Sequence, residues 1–280
     1  MVMSAEASIA RRVRCRQILE SDLDALAGVF MVGFPHHTRD FWDVGLARIA
    51  ALPSIEGMPR IGYALESEQR IVGALLTISS RRGQQIISNV SAWYVEPPYR
   101  AHSTLLTSMA TKHKHVIYLN ASPADHTVRT LERLGWKPYN FGRSAAFPVL
   151  GLGGGKIREE IPADLPERAL LQDHRALGCI SVICAKSGMV SPFVFKARRT
   201  KGRQLPMMEL IYCRGTSEFE RCGAALGRYF LTRGAFGFIL DGKVKGMLSH
   251  YVDGKQPRLY KGPRAPELND LAYTEKVFFG

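Results

Sequence analysis

The sequence predicts an α/β (α+β) protein with a mixed central sheet flanked by helices, in two domains. Runs with alternating apolar residues, typical of strands, are interleaved with runs of helical period along the chain. The 280 residues correspond to about two domains of roughly 150 residues each. Hydrophobic residues make up 46% of the chain, which is enough for packed cores and excludes a disordered polymer.

Charge and cysteine content restrict the class of function. The 38 basic and 25 acidic side chains leave a net charge of +13, which favours anionic ligands. The five cysteines include no CxxC pair, so we expect neither a disulfide framework nor a metal site. Apolar runs are too short to span a membrane, and the N-terminus lacks the long apolar segment of an export signal. We therefore expect a cytoplasmic protein without a membrane partner.

The first half of the chain predicts the order strand, two helices, three strands, helix, strand, helix, strand. Ser21 and Asp22 offer a cap for the first helix, and Pro53 stops the second. The third strand of the group ends at the double proline that starts at Pro97, because proline cannot donate to a strand ladder. The segments, in order, are VRCRQI, LDALAGVFMVGF, DFWDVGLARIAAL, RIGYALE, RIVGALLTISS, QQIISNVSAWYVE, a helix at about 102–112, VIYLNAS, a helix at 125–134 and WKPYNFGRSAAFPV.

A segment rich in glycine, proline and charge, residues 151–165, predicts a linker between domains 1–150 and 166–280. After it, a helix, three strands, a long helix and a strand are predicted, followed by two more strands and an ordered tail. A hairpin, a helix and a strand thus recur, which indicates a second copy of the first domain. The segments are ERALLQDHRAL, CISVICA, PFVFKARR, MMELIYCR, a helix at 217–233, AFGFILDG, KVKGMLSHYVDGKQPRLYKGP and DLAYTEKVFFG.

The segment WYVEPPYRAHSTL carries the first candidate site. A strand breaks at Pro97, and a helix is predicted to start a few residues later, with Arg100 in its entry turn. The first turn of a helix leaves its amide donors unpaired and carries a partial positive charge. Such a turn binds phosphate groups readily, and Arg100 adds a formal charge. The segment therefore predicts a site for a pyrophosphate.

These residues resemble the cofactor-binding motif of the GNAT superfamily of acyl-CoA-dependent N-acyltransferases. In that family a strand ending V-x-P-x-x-R runs into a glycine-containing loop and a helix. The next block, VIYLNASPADHTVRTLERLGWKPYNFG, is similar to the strand and helix that follow in the family. The similarity covers most of residues 10–148. The matching residues are Val95, Pro97, Arg100, Leu134, Gly135 and Trp136.

The resemblance implies transfer of an acetyl or other acyl group from acyl-CoA to an amine, either a small molecule or a peptide. It implies an acyl-CoA-binding domain at 1–150 and a degenerate GNAT-like copy at 166–280. The pyrophosphate is expected at the helix entrance, the thioester along the strand end, and the pantetheine arm near the end of the next strand. The implied cofactor-binding residues are Trp93, Tyr94, Val95, Arg100, Ala101, His102, Ser103, Thr104, Leu105, Asn120 and Ser122.

The catalytic residues stay open at the level of sequence. Leu131 occupies the position of the tyrosine that serves many family members as general acid. The candidates for a general base are His36, His37 and Glu96. Two alternatives keep the fold: a non-catalytic binding or regulatory protein, and an aminoacyl-tRNA-dependent transferase that uses a basic face for RNA.

Overall fold

The computed structural model describes residues 12–147, 154–200, 204–245 and 248–279. The chain forms two compact units. The first unit consists of Met1–Ser79 and Val90–Lys114, and the second of Ser80–Asn89 and His115–Gly280.

The first unit follows the predicted order of elements. Its strands pair in the order β1-β2-β3-β4, and the β1–β2 and β2–β3 pairs are antiparallel. Both β2 and β3 are buried along most of their length, and α3 packs against β2. The elements are β1 (Val13–Gln17), α1 (Leu23–Gly33), α2 (Arg39–Ala50), β2 (Gly62–Ser67), β3 (Arg70–Arg82), β4 (Gln85–Val95) and α3 (Ser103–Ala110), where β3 and β4 run on into the second unit.

Local chemistry sets the starts of the first two helices. The carboxylate of Asp22 accepts a hydrogen bond from the amide of Leu19 at 2.8 Å, at the turn before α1. The hydroxyl of Thr38 accepts from the amide of Phe41 at 3.3 Å and caps α2. The Thr38 bond satisfies an amide that α2 itself leaves unpaired, whereas the Asp22 side chain bonds to the preceding turn and makes no cap hydrogen bond to α1.

The second unit contains a mixed sheet covered by helices. Its strands pair in the order β4-β5-β12-β6-β11-β10-β9-β8-β7, beginning with the first residues of β4. The β4–β5 and β10–β11 pairs are parallel, and the β8–β9 and β6–β12 pairs are antiparallel. The predicted α+β class with a mixed sheet is confirmed. The elements are β5 (Ile117–Asn120), α4 (Asp125–Arg133), β6 (Lys137–Ala146), β7 (Lys156–Arg158), α5 (Arg168–Ala176), β8 (Ile180–Lys186), β9 (Met189–Arg199), β10 (Pro206–Tyr212), α6 (Thr216–Leu231), β11 (Phe238–Asp241), β12 (Ser249–Lys261) and α7 (Glu275–Phe278).

Strand β12, close to the C-terminal end, lies between β5 and β6. Strands from both sides of the predicted linker therefore belong to one compact unit, and residues 156–158 of that linker form β7. The compact units thus differ from the predicted domains 1–150 and 166–280. The reason is a long-range strand pairing that local sequence patterns do not report. The tandem origin of the two halves stays a prediction.

Among its described residues, the C-terminal stretch contains one strand, β12, where two were predicted. In β12, Asp253 lies opposite Gly142 of β6, whereas Arg258 lies opposite Asn140. Five steps along β12 thus match two along β6, so the residues between Asp253 and Arg258 leave the regular ladder. Up to residue 279, where the described part of the chain ends, the tail then forms a 3-10 turn at Leu268–Leu271 and α7 rather than a strand.

An aromatic core supports the second unit. Phe195 lies in the middle of it, with its ring centroid 4.8 Å from that of Phe230 and 5.3 Å from that of Phe238. All three side chains are buried, as are four of the five cysteines, which are free. Within the described residues, no helix combines the length and apolar character needed to cross a membrane.

Candidate functional sites in the two units

The predicted phosphate corner lies in the first unit, directly after β4. The chain enters a 3-10 helix at Pro97–His102 and continues without a break into α3 at Ser103. The helical run thus begins at the double proline, several residues before the start that the sequence predicted. Proline suits a first helical position because its φ is already helical and its missing N–H would have no partner there.

This earlier start removes some of the amide donors expected at the corner. Pro97 and Pro98 have no N–H, and the amide of Tyr99 donates to the carbonyl of Glu96 at 2.9 Å. The amide of Ser103 donates to the carbonyl of Arg100. The pool of free donors is therefore smaller than the sequence predicted.

The side chains of the corner nevertheless form an accessible face. Arg100, Ala101, His102, Thr104 and Leu105 are exposed, and Ser103 is half-buried. In particular, the side chain of Leu105 is 38% exposed. The corner offers the guanidinium of Arg100 and the hydroxyls of Ser103 and Thr104, which suits an anionic group that approaches from solvent.

A strained residue lies on β4 just before this corner. Ala92 has φ of +46°, in the left-handed region that a side chain with a Cβ atom rarely adopts. Trp93 and Tyr94 are then half-buried, and Val95 is buried. Surrounding packing must hold this conformation at a cost of about 1–3 kcal/mol, and such strain is concentrated at functional sites.

The end of α1 lies against the same part of β4. A Cβ added at Gly33 would lie 2.4 Å from Cγ of Tyr94, so only glycine permits this approach. The ring of Phe34 lies 6.3 Å from that of Tyr94 and 5.5 Å from that of Trp42. The end of α1 thus meets Tyr94 through Phe34, and Phe34 in turn contacts Trp42 of α2.

The three candidate bases lie in different settings within the first unit. His36 and His37 are exposed in the loop between α1 and α2, and the ring of His37 stacks on Phe41 with centroids 3.9 Å apart. Glu96 forms a two-point ion pair with Arg70, with distances of 2.5 and 2.9 Å. Before Glu96 could accept a proton, this pair would have to open.

The two remaining predicted cofactor residues, Asn120 and Ser122, lie in the second unit at the end of β5. Asn120 is buried and pairs with Leu259 of β12. The hydroxyl of Ser122 donates to Glu275 Oε1 at 2.6 Å, and Asn89 Nδ2 donates to Glu275 Oε2 at 2.7 Å. The end of β5 is thus tied to α7 by a carboxylate that sequence reasoning did not select.

A cluster of charges also lies inside the second unit. Glu209 of β10, with its side chain 4% exposed, accepts hydrogen bonds from Arg143 at 2.5 Å, Arg198 at 2.8 Å and Lys276 at 2.8 Å. Burial by itself would raise the pKa of Glu209, but these cations lower it to about 2. Glu209 is therefore a carboxylate at neutral pH.

Asp241 of β11 provides the second carboxylate of this charge cluster. It forms ion pairs with Arg258 and with Arg143, the latter at 3.2 Å. Lys276 lies 3.8 Å from it. Burial and, to a smaller extent, the nearby Arg258 lower the pKa of Lys276 to about 7, although Glu209 acts in the opposite direction. The charge cluster is the set Arg143, Arg198, Glu209, Asp241, Arg258 and Lys276.

A cavity of about 380 Å³ opens beside the charge cluster, still within the second unit. Its walls come from the chain after β5, from β6 and from the part of β12 that leaves the ladder. Arg143 and Arg258 are shared by the cavity and the charge cluster. The lining residues include Ser122, Pro123, Asn140, Phe141, Val252, Asp253 and Pro257.

No protein-family model and no curated protein matches this sequence. Solved structures do match its fold. A GCN5-related N-acetyltransferase from Anabaena variabilis ATCC 29413 aligns with 89% of this chain and 72% of its own, at 10% identity and a TM-score of 0.60. One from Kribbella flavida aligns with 91% of this chain and 72% of its own, at 13% identity and a TM-score of 0.57.

Eis1 from Mycobacterium abscessus aligns with 89% of this chain and 73% of its own, at 10% identity and a TM-score of 0.51. The identities are low, but the matches cover most of the chain. The protein therefore has the fold of the GCN5-related N-acetyltransferases, and the fold that the sequence resemblance implied is confirmed.

Sequence reasoning missed the charge cluster because its members are far apart in the chain. A weak signal was present in two places. Glu209 interrupts the apolar run MMELIY, and Lys276 precedes the apolar end VFF. A charge inside an apolar strand is expected to have a buried partner, but the sequence does not say which residue that is.

Proposed function

We propose that the protein transfers an acetyl or another acyl group from acyl-CoA to an amine. The observation that carries this proposal is the exposed corner that follows β4, in a chain with the fold of the N-acetyltransferases. The solved structures with this fold include two GCN5-related N-acetyltransferases, from Anabaena variabilis and Kribbella flavida. The predicted cytoplasmic location is part of the same proposal.

The proposed cosubstrate contacts use the accessible side of the corner. Arg100 supplies a positive charge for the pyrophosphate, and Thr104 supplies a hydroxyl one turn further along. The amides of Tyr99 and Ser103 are already paired, so the guanidinium has a larger share of the binding than in a site built from free amides. Removal of its charge is therefore expected to be severe.

The chemical step requires a neutral amine close to the thioester carbonyl. The amine nitrogen forms a bond to the carbonyl carbon and releases one proton to solvent, the C–S bond breaks, and CoA leaves as a thiolate that takes up a proton. Leu131 is buried and apolar, so it cannot donate that proton, which solvent can supply. Alignment of the two reactants then provides most of the rate, since such alignment is worth about 7–11 kcal/mol in favourable cases.

The test is a calorimetric titration with acetyl-CoA and longer acyl-CoAs, followed by an assay of CoA release with a panel of amines. We expect saturable binding in wild type and a loss of at least about 100-fold in Arg100→Glu, since the variant replaces an attractive charge by a repulsive one. Arg129→Glu is the control, because Arg129 is an exposed arginine on α4 and changes the net charge equally. This control is expected to bind like wild type.

Each alternative has its own outcome in this test. Absence of binding at millimolar acyl-CoA would overturn the proposal. Saturable binding without turnover for any amine would favour the non-catalytic binding protein. A mobility shift of tRNA that weakens steeply with salt would favour the aminoacyl-tRNA-dependent transferase instead.

A further inference from the structure

The cavity in the second unit is lined by both basic and acidic side chains. Its two basic residues, Arg143 and Arg258, approach it from different strands, and Arg143 keeps 37% of its side chain exposed. Asp253, an exposed carboxylate, lies on the same wall. A single ligand with both a negative and a positive group would satisfy both kinds of side chain.

The charge cluster behind the cavity has an excess of positive charge. When Lys276 is protonated it contains four cations, which face the carboxylates of Glu209 and Asp241 and, near Arg258, that of Glu275, so one positive charge is left uncompensated. Burial is the main cause of the lowered pKa of Lys276, about 7, and Arg258 acts in the same direction. Glu275 is the further carboxylate that acts on Arg258. An anionic group in the cavity would relieve this imbalance.

Asn140 adds an unused donor to the cavity wall. Its Oδ1 accepts a hydrogen bond from the amide of Gly142 at 3.2 Å, whereas its buried Nδ2 has no hydrogen-bond partner among the described residues. Buried donors without partners are costly, at about 1–3 kcal/mol each. A carboxylate oxygen would provide the missing acceptor.

The remaining walls and the size restrict the ligand further. Phe141, Val252, Pro123 and Pro257 give the cavity apolar surfaces. A volume of about 380 Å³ lies at the small end of ligand pockets, which run from about 300 to 1,000 Å³. It suits a molecule the size of one amino acid, whereas a complete acyl-CoA is too large. Asp253 would also repel a dianionic phosphate, which favours a carboxylate.

We propose that this cavity binds an amino acid with an apolar side chain, whose carboxylate is held by Arg143 and Arg258 and whose ammonium group faces Asp253. This inference concerns binding to the second unit alone and is independent of the proposed acyl transfer. Binding itself requires no acyl-CoA, so the two proposals can fail separately.

The experiment is a calorimetric titration of the full chain with L-phenylalanine in the absence of acyl-CoA. L-Phenylalaninamide is the matched probe, because it has the same ring and ammonium group but no carboxylate. We expect L-phenylalanine to bind at least about 10-fold more tightly than the amide, the effect of one partly buried charge pair. Equal affinities of L-phenylalanine and L-phenylalaninamide would overturn the proposal. So would the absence of L-phenylalanine binding at about 10 mM.

A pair of variants tests whether the cavity is the binding site. Val252 lines the cavity, is 55% exposed, and lies opposite Arg143 in the β6–β12 register. Val252→Glu places a competing carboxylate beside the guanidinium and is expected to weaken L-phenylalanine binding about 10-fold. Val252→Gln has nearly the same shape without the charge and is expected to cost no more than about 3-fold.

The controls separate local from general effects. Val44→Glu introduces the same charge on α2 of the first unit, at a side chain that is 49% exposed, and should bind L-phenylalanine like wild type. Unfolding curves of all variants show whether each one folds. Equal weakening in the two Val252 variants, or weakening in Val44→Glu, would contradict the assignment. If acyl-CoA binds and L-phenylalanine does not, this inference alone fails.

Discussion

The corner of the first unit and the charge cluster of the second are built in opposite ways. The corner uses one continuous segment, in which a strained residue, Ala92, is followed by a double proline and a helix start. The charge cluster uses side chains from β6, β9, β10, β11, β12 and α7, which meet only in the folded chain. The corner depends mainly on backbone conformation, whereas the cluster depends on buried charge.

This difference has an energetic consequence. A backbone corner is stabilised by many weak contacts, so single substitutions there should have moderate effects on stability. Removal of a buried carboxylate that faces several cations should strongly destabilise the fold, because those cations are left desolvated and unpaired. The two regions should therefore respond to mutation with different magnitudes.

The largest effect is expected for Glu209→Gln in the charge cluster. The substitution leaves Arg143, Arg198 and Lys276 without their shared carboxylate. Breaking a buried ion pair in this way lowers the free energy of unfolding by about 3–5 kcal/mol. Urea unfolding monitored by circular dichroism measures the loss. Glu159→Gln is the control, because the side chain of Glu159 is 62% exposed and its pair with Arg233 lies in solvent. Similar losses in both variants would contradict a special role of the buried carboxylate.

The same carboxylate predicts a pH dependence of stability. The cations around Glu209 outweigh its burial and lower its pKa in the folded state to about 2, from an ordinary value of 4.5. A lowered pKa stabilises the fold fully above the ordinary value, and the contribution is lost as the pH falls from about 4.5 to 2. The size is about 3 kcal/mol, at 1.36 kcal/mol per pH unit. Unfolding curves at pH 7, 4 and 2.5 should show the difference between wild type and Glu209→Gln shrinking with acid; a constant difference would refute this account.

An intermediate effect is expected at the contact between α1 and β4. Gly33→Ala places a Cβ atom 2.4 Å from Cγ of Tyr94, which forces the ring or the helix to move and costs about 1–3 kcal/mol. Gly28→Ala on the same helix meets no atom within 4 Å and is expected to stabilise the protein by about 0.5–1 kcal/mol. Thermal unfolding compares the two. If both variants change stability in the same direction, the contact with Tyr94 does not restrict the side chain at position 33.

The smallest effect, but one of unusual sign, is expected at the strained residue. Ala92→Gly removes the Cβ atom that disfavours φ of +46° and should stabilise the protein by about 1 kcal/mol. Ala64→Gly on β2, a buried position, should instead destabilise it by about 1 kcal/mol. Chemical unfolding of both variants measures these opposite changes in the free energy of unfolding. A loss of stability in Ala92→Gly would mean that Ala92 is not strained in solution.

The two regions also differ in how far the sequence predicts them, because the corner is local in the chain and the charge cluster is not. The strand that ends at Val95 and the helix that follows were predicted, because prolines and periodicity act locally. The exact start of the helical run at Pro97 was missed, since proline can end a strand or begin a helix. For Glu275 and its contacts with Asn89 and Ser122, no local signal existed.

The sequence by itself determined the α+β class, most of the elements and the resemblance of residues 10–148 to the N-acyltransferases, because these depend on spacing within short windows. The tertiary structure alone decided that β12 lies between β5 and β6, and that Arg143, Glu209, Asp241 and Arg258 meet beside a cavity. The physical reason is that strand pairing and buried ion pairs join residues that are tens to more than a hundred positions apart, and only packing of the whole chain selects those partners.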